Sequence, residues 1–311
     1  MKKGIRKHKK GRMNPIYPDK YAWIYVMPAV TLMVLMCLFP VFVLIWNSMT
    51  DFSLIKPDTH FVGLKNYVEI LKTPGFYKAL GRSVLYSAGT VTFQITGGFI
   101  LALLYQVKFR GKKLLRSVML IPMVAAPVAI AFLWSIIFNP SMGVLNYLLS
   151  LLGIPPQMWT SSTTMALPSI IMVDIWQNTP FVFLIFSSGM AAMPDEIFEA
   201  AIVDGAGFLQ NIRYVLIPLM KPVFVTVLLL RTVDSLKAFD LIYTLTSGGP
   251  GTSTQTINML VYLRGFSYFK MGEASAIAFI MYIFIFIIAG TIVKRGKIGF
   301  YGWCLWRNTR S

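Results

Sequence analysis

Six long apolar stretches constrain this chain more than any other feature of its sequence. Each is long enough to cross about 30 Å of hydrocarbon at roughly 1.5 Å per helical residue. They occupy residues 23–47, 83–106, 115–138, 165–190, 222–245 and 274–293. Because a bilayer core offers no water, the backbone of each stretch must satisfy its own hydrogen bonds, which a helix does. The sequence therefore predicts an all-α, polytopic membrane protein with six transmembrane helices.

The composition agrees with a membrane protein and argues against a nucleic-acid-binding one. Of the 311 residues, 56% are hydrophobic and 13% are charged, whereas soluble domains carry about 25% charged residues. The net charge of +17 arises from Lys and Arg grouped in short blocks beside the apolar stretches, as the positive-inside rule describes. The basic segment 1–22 is therefore expected to lie near the headgroups of membrane lipid, with no nucleic acid as partner.

The same basic residues predict the orientation. With a cytoplasmic N-terminus, 20 Lys and Arg residues fall on the cytoplasmic side and 7 on the external side. Loop 139–164 contains neither residue type, which marks it as external. We expect both termini to be cytoplasmic, with tails at 1–22 and 294–311. The first stretch, 23–48, is too long for the core of a signal peptide and is interpreted as an uncleaved helix.

Prolines interrupt two of the predicted helices. Pro122 and Pro127 lie in the third stretch, and Pro180 lies in the fourth. Proline removes a backbone donor and kinks a helix, which is tolerated where neighbouring groups satisfy the freed carbonyl. Two interpretations remain open: ordinary kinks of membrane helices, and kinks that shape a moving pathway.

Ionisable residues inside the fifth predicted helix are candidates for a substrate pathway, because charges are costly in a membrane segment. Arg231, Asp234, Lys237 and Asp240 recur every three residues. A continuous helix would align them in one slowly drifting stripe of alternating sign. The stripe is either a polar wall that offers partners to a solute or a stack in which each charge neutralises its neighbour.

A second group of pathway candidates lies near the middle of the fourth predicted helix. It contains Trp176, Gln177 and Asn178, close to Asp174. An aromatic ring beside amides suits a sugar, whose faces are apolar and whose edges carry hydroxyls. Hydrogen bonding between helices is the other interpretation. Thr92, Gln94 and Thr96 in the second helix are weaker candidates.

The segment between the fourth and fifth stretches predicts a helical hairpin on the cytoplasmic side. One helix is expected from Pro194 to about Asp204, followed by a turn that Gly205 and Gly207 supply. A second short helix at 208–216 is expected to stop before Pro218. The hairpin is too apolar for a solvated loop, so we expect another protein to cover it. Its apolar side chains are Ile197, Phe198, Ala201, Ile202 and Leu209.

This segment, 191–222, resembles the EAA loop of permease subunits of binding-protein-dependent ABC importers. The family pattern is Glu-Ala-Ala, three residues, Gly, nine residues and Ile-x-Leu-Pro. Here Glu199-Ala200-Ala201 is followed at the same spacings by Gly205 and by Val215-Leu216-Ile217-Pro218, with Val and Ile in place of Ile and Leu. In that family the hairpin docks in a groove of the ATPase subunit. The resemblance implies that six residues couple this chain to the ATPase subunit: Glu199, Ala200, Ala201, Asp204, Gly205 and Pro218.

Other stretches resemble the maltose-type, carbohydrate-uptake branch of these permeases. They are 61–67, 143–146, 176–181, 239–243 and 245–251. The resemblance implies a type I ABC importer transmembrane domain at 82–293, with five of the helices and the 191–222 loop. It also implies that the transported solute is a sugar, or a related polyol or glycerol phosphate. The glycine-rich segment 248–251 is either a contact for the binding protein or a plain connector.

The resemblance also implies what must come from other chains. No Gly-x-x-x-x-Gly-Lys-Ser/Thr motif occurs, so ATP hydrolysis is expected on a separate subunit, and this chain is not expected to be an enzyme. The sequence indicates no cofactor and no metal site. The implied partners are two ATP-binding subunits, a second homologous permease and an extracellular or periplasmic substrate-binding protein. The alternatives are an ion-coupled secondary transporter, which predicts inverted repeats, and a membrane-embedded enzyme.

Overall fold

The computed structural model describes the backbone of residues 19–56, 58–107 and 110–308 and the side chains of 23–56, 58–107 and 110–296. The chain divides after Trp46 into two compact units. The helices are α1 Asp19–Ser48, α2 Lys65–Lys72, α3 Pro74–Gln106, α4 Lys112–Val124, α5 Pro127–Ile137, α6 Val144–Leu151, α7 Ala166–Ala191, α8 Asp195–Val203, α9 Phe208–Gln210, α10 Ile217–Leu236, α11 Asp240–Thr246, α12 Ile257–Tyr262 and α13 Met271–Asn308. The predicted all-α class is confirmed.

Five helical segments are long and apolar enough to cross a membrane within the described part of the chain. They are Trp23–Ser48, Pro74–Gln106, Ala166–Ala191, Phe208–Leu236 and Met271–Gly296. A sixth span results if α4 and α5, which meet at a bend of 98°, are counted as one. The predicted number of six therefore holds with a broken third span.

The break in the third span lies at Ala125 and Ala126, whose backbones are extended. Pro127 follows directly and begins α5. The ring of a proline disfavours helical geometry in the residue before it, so Pro127 moves Ala126 out of the helix. Pro122 remains inside α4, and Pro180 remains inside α7. Of the three prolines, only Pro127 coincides with an interruption.

The fifth span differs from its prediction at both ends. The predicted second short helix does not stop before Pro218, because a π-helical turn, Asn211–Leu216, joins α9 directly to α10. Pro218 lies in the first turn of α10. The N–H groups of a first turn have no acceptor within their own helix, so the N–H that proline lacks is not missed there. The predicted boundary of 222 was therefore wrong.

The other end of this span lies at Leu236 instead of 245. Asn258 of α12 explains the early end, since its Nδ2 donates to the carbonyl of Leu236 at 2.9 Å and to that of Ala238 at 3.4 Å. The amide of Asn258, which is distant in sequence, thus satisfies carbonyls at the end of α10 that have no hydrogen-bond partner within the helix. The chain resumes as α11 at Asp240, so the predicted four-residue charge stripe is interrupted after Lys237.

The helices of the second unit pack closely around α3, α7 and α10. A Cβ atom added to Gly98 of α3 would lie 2.6 Å from Cγ1 of Val182 in α7, so the two helices approach at a distance that only glycine permits here. Close contact through small residues is how membrane helices gain dispersion energy. Buried apolar residues surround this contact, among them Ala102, Phe183 and Phe186.

The connection between α1 and α2 is fastened by Asn66. Its buried side-chain amide donates to the carbonyl of Ser48 at 2.9 Å and to that of Thr50 at 2.8 Å. The hydroxyl of Tyr67 lies 2.6 Å from Oγ of Ser48. The 61–67 stretch that resembles the carbohydrate-uptake branch therefore includes the residues that fix the connecting loop.

Candidate functional site

Arg231 of α10 is the centre of a buried polar cluster between α3, α7 and α10. Its guanidinium donates from Nε to Oε1 of Gln94 at 2.8 Å and from Nη1 to Oδ1 of Asn178 at 3.3 Å. Nη2 lies 3.8 Å from Oδ1 of Asp174. Arg231 is 5% exposed and Asp174 is 4% exposed. Buried charges require such partners, because an unpaired one is strongly destabilising.

The partners of Arg231 are held by one another. Oδ1 of Asp174 accepts a hydrogen bond from Nδ2 of Asn178 at 2.6 Å, and Nε2 of Gln94 donates to the backbone carbonyl of Asp174 at 3.0 Å. The hydroxyl of the buried Tyr86 and Oδ2 of Asp174 have no hydrogen-bond partner among the described residues. The sequence contained no signal for Tyr86, which lies in an apolar helix like many other tyrosines. The cluster is therefore a fixed network built from three helices.

Two further charges continue this network to the protein surface. Oδ2 of Asp234 lies 3.9 Å from Nη1 of Arg231, and Oδ1 of Asp234 lies 3.4 Å from Nζ of Lys237. The Asp234 and Lys237 side chains are 52% and 58% exposed. The three pathway candidates of the fifth predicted helix therefore form paired charges that run from the interior to an exposed face.

Trp176 and Gln177 lie apart from this network. Trp176 is roughly 200° around α7 from Asp174, and its ring packs edge-on against Trp134 of α5 with centroids 5.6 Å apart. Nε2 of Gln177 donates to the carbonyl of Ala125, at the break of the third span, at 3.4 Å. Trp176 is partly exposed and Gln177 is buried. The structure therefore brings Asn178 to Arg231 but places Trp176 and Gln177 against the bent span.

The predicted hairpin forms a tight turn at Gly205. The N–H of Gly205 donates to the carbonyl of Ile202 at 3.0 Å, and the N–H of Ala206 donates to that of Ala201 at 2.9 Å. This is the Schellman arrangement, which requires a left-handed residue after the helix. Gly205 supplies it with a φ of +84°. The helix before the turn, α8, ends at Val203, one residue before the predicted end.

The implied coupling residues are almost all on the surface of this hairpin. Glu199, Ala200, Asp204, Gly205 and Pro218 are exposed, and Ala201 is partly buried. Large apolar side chains of the same hairpin are also exposed, including Ile202, Val203, Phe208, Leu209 and Tyr214. An apolar surface of this kind is typical of an interaction site.

The base of the hairpin is packed into the helix bundle. Phe198 of α8 and Ile212 of the π-helical turn contact the apolar cluster that contains Met190 of α7 and Leu216. A displacement of the hairpin would therefore move the ends of α7 and α10, since a packed core transmits displacement.

An all-α bundle with a buried charge network in its spans and a projecting apolar hairpin between two of them defines a membrane permease subunit. Residues 94–295 match the family described as "Binding-protein-dependent transport system inner membrane component", and the chain belongs to that family. This match confirms the family resemblance predicted from the sequence.

Relatives of known name share the chain over nearly its whole length. The probable ABC transporter permease protein y4oQ of Sinorhizobium fredii is 34% identical over 94% of this chain and 93% of its own. The trehalose/maltose transport system permease protein MalF of Thermococcus litoralis is 32% identical over 89% and 94%. The trehalose transport system permease protein SugA of Mycobacterium tuberculosis is 33% identical over 88% of each chain.

A solved structure confirms the type I importer fold. A chain in the crystal structure of a bacterial ABC transporter involved in the import of the acidic polysaccharide alginate superposes with a TM-score of 0.78. The superposition covers 89% of this chain and 96% of that one, at 21% sequence identity.

Proposed function

We propose that this chain is the permease subunit of an ATP-driven importer and forms half of the pathway for a sugar, or for a related polyol or glycerol phosphate. The observation that carries the proposal is the exposed apolar hairpin with its Glu199-Ala200-Ala201 sequence and its turn at Gly205. Relatives named for trehalose and maltose support a sugar as the solute.

The hairpin couples the pathway to a separate ATPase subunit. Ala200 and Ala201 allow a partner to approach the backbone closely, and the exposed carboxylates of Glu199 and Asp204 offer charged contacts at the tip. ATP hydrolysis takes place on that subunit. ATP drives the cycle by binding with different free energy to the two membrane states, and the packed base of the hairpin transmits the change.

The assembly contains two ATP-binding subunits, a second homologous permease and a substrate-binding protein on the external side. Both termini of this chain, including the tails 1–22 and 294–311, lie in the cytoplasm. The transmembrane domain occupies 82–293, and the first helix, 23–48, precedes it. The family description as an inner membrane component supports a location in the inner membrane.

The exposed members of the charge network line the solute pathway, and the buried members position them. Asp234 and Lys237 offer an acceptor and donors at the surface of α10. Arg231 pairs with Asp234 from within the bundle, and Asn178 accepts a hydrogen bond from the same guanidinium. Trp176 contributes an exposed aromatic face beside the bent third span, where Gln177 fixes the backbone.

Reversal of one charge on the hairpin tests the coupling. Glu199→Lys should reduce sugar uptake at least tenfold in the complete transporter, while the matched change Glu196→Lys, on the same exposed helix but outside the motif, should leave uptake unchanged. Uptake and ATP hydrolysis are measured together in proteoliposomes. Normal uptake with Glu199→Lys would refute the coupling role.

Purification separates this function from the ion-coupled alternative. An ATPase subunit should purify with this chain, and the chain alone should take up no sugar under an imposed proton or sodium gradient. Uptake by the isolated chain would support a secondary transporter instead.

Cysteine labelling tests the orientation. In a background with Cys37 and Cys304 replaced by serine, Met142→Cys should react with a membrane-impermeant maleimide added outside the cell, and Val203→Cys should not. Both positions are highly exposed. External labelling of Val203→Cys would show that the proposed orientation is wrong.

A further inference from the structure

Four aromatic rings form one continuous group where α10 ends. Phe239 lies 5.3 Å from Tyr243 and 5.1 Å from Tyr262, between ring centroids. Tyr243 lies 5.0 Å from Tyr262, and Tyr262 lies 5.5 Å from Phe266. We call these four residues the aromatic platform. Two of these contacts join residues four apart in the chain, and the other two join Tyr262 of α12 to Phe239 and to Tyr243 of α11.

The platform is held in place by hydrogen bonds outside its own side chains. The N–H of Tyr243 donates to the carbonyl of Phe239 at 2.8 Å. Asn258 joins α12, which carries Tyr262, to the end of α10. The rings are therefore preorganised, which reduces the entropic cost of binding a ligand.

The surface of the platform is both apolar and hydrogen-bonding. Tyr243 is 39% exposed and Phe266 is 58% exposed. The hydroxyls of Tyr243 and Tyr262 lie 3.3 Å apart, and each retains capacity for a further hydrogen bond. Ring faces next to hydroxyl groups suit a pyranose, which presents an apolar face and a hydroxyl edge.

Charged residues flank the platform in the sequence. Phe239 follows Lys237 by two residues, and the Asp234–Lys237 pair is more than half exposed. Asp240, the next residue after Phe239, is also exposed. Charged side chains avoid the hydrocarbon region and face water-filled cavities or protein instead.

We propose that the aromatic platform binds a sugar ring at the external end of the pathway, before the solute reaches the Asp234–Lys237 pair. The ligand class is a neutral pyranose with vicinal hydroxyls. Tyr243 and Phe266 provide the stacking faces, and the paired tyrosine hydroxyls bind the ring edge. This inference rests on the proposed function of the chain as a sugar permease.

The test uses the complete transporter in proteoliposomes with its binding protein and three radiolabelled probes: maltose, trehalose and glycerol 3-phosphate. Tyr243→Ala and Phe266→Ala should each reduce disaccharide uptake about tenfold, as expected when a stacking ring is lost. ATP hydrolysis stimulated by the binding protein should stay within about twofold of the unaltered transporter, since the hairpin is untouched. Tyr243→Phe, which keeps the ring, should have a smaller effect than Tyr243→Ala.

The control is Tyr147→Ala, an exposed tyrosine of α6 outside the platform, which should transport normally. Undiminished disaccharide uptake by both alanine variants would refute sugar binding by the platform. An equal loss of uptake and ATP hydrolysis would also refute it, because that result indicates a structural role. Uptake of glycerol 3-phosphate alone would also overturn it, while the permease function would stand. Failure of the unaltered assembly to take up any probe would overturn both proposals.

Discussion

Nε of Arg231 lies 2.8 Å from Oε1 of Gln94, and this hydrogen bond joins α10 to α3 through the interior of the bundle. The same guanidinium reaches Asn178 and Asp174 of α7. One side chain therefore ties three spanning helices together, and its removal should affect stability as well as transport.

Loss of the Arg231 charge should be strongly destabilising. Arg231→Met leaves the Asp174 carboxylate buried without its cation, which costs about 3–5 kcal/mol of unfolding free energy. The measurement is unfolding of the detergent-solubilised protein in mixed micelles of increasing denaturing detergent. The double variant Arg231→Met/Asp174→Asn should recover part of the loss, because no charge is then left unpaired.

The exposed Lys237 provides the control for this experiment. Lys237→Met removes a surface ion pair with Asp234, and exposed pairs contribute at most about 1 kcal/mol. An equal loss of stability for Arg231→Met and Lys237→Met would contradict the buried network.

The contact of α3 with α7 should be intolerant of even one methyl group. Gly98→Ala places a Cβ atom 2.6 Å from Val182 Cγ1, and overpacking of this kind costs about 1–3 kcal/mol. The matched change Gly81→Ala, in the same helix with nothing within 4 Å of the new atom, should be neutral or stabilise by up to about 1 kcal/mol. Thermal unfolding of the two variants measures the difference, and the absence of one would show that the helices separate easily.

The turn of the hairpin should require glycine at position 205 but not at position 207. Gly205→Ala forces an L-residue to a φ of +84°, at a cost of about 1–2 kcal/mol. Gly207 has a φ of −69°, so Gly207→Ala should fold the turn normally. If the hairpin couples ATP hydrolysis to uptake, the ratio of sugar transported to ATP hydrolysed should fall for Gly205→Ala only. Equal ratios for both variants would refute the role of this turn.

The loop between α1 and α2 should loosen when Asn66 is replaced. Asn66→Ala removes the donor to the buried carbonyl of Thr50, and an unsatisfied buried carbonyl costs about 1–3 kcal/mol. Hydrogen exchange and protease cleavage in this loop should both increase. Lys65→Ala, which removes only an exposed 3.9 Å ion pair with Glu69, should leave the exchange unchanged.

The ends of a membrane span could be predicted from the sequence where they coincide with the ends of an apolar stretch. The fourth stretch, 165–190, corresponds to Ala166–Ala191, and the first corresponds to Trp23–Ser48. The second helix begins nine residues earlier than predicted, at Pro74, because its first turns are polar and hydropathy alone does not detect them. The C-terminal end of the fifth helix was misplaced because Asn258, a distant residue, donates to the carbonyl of its last residue.

The candidate site was predicted in part. The turn after Glu199 and Ala200 could be predicted from the sequence, because the turn that ends a helix depends on local residues such as Gly205. The structure contains that turn. The polar residues Gln94, Asp174 and Asn178 could be picked out from the sequence, but their contacts with Arg231 could not be predicted, since the spacing of charges along one helix says nothing about its neighbours.

The sequence by itself determined that the chain is a six-span helical membrane protein with an apolar hairpin between its fourth and fifth spans. These features follow from hydrophobic length and from residues close together in the chain, so local physics is sufficient. Tertiary structure alone decided that Arg231 is buried while Asp234 and Lys237 are exposed, and that Trp176 faces away from Asn178. It also assembled the aromatic platform from α11 and α12. Burial and contact depend on which helices become neighbours, and that is settled only when the whole bundle packs.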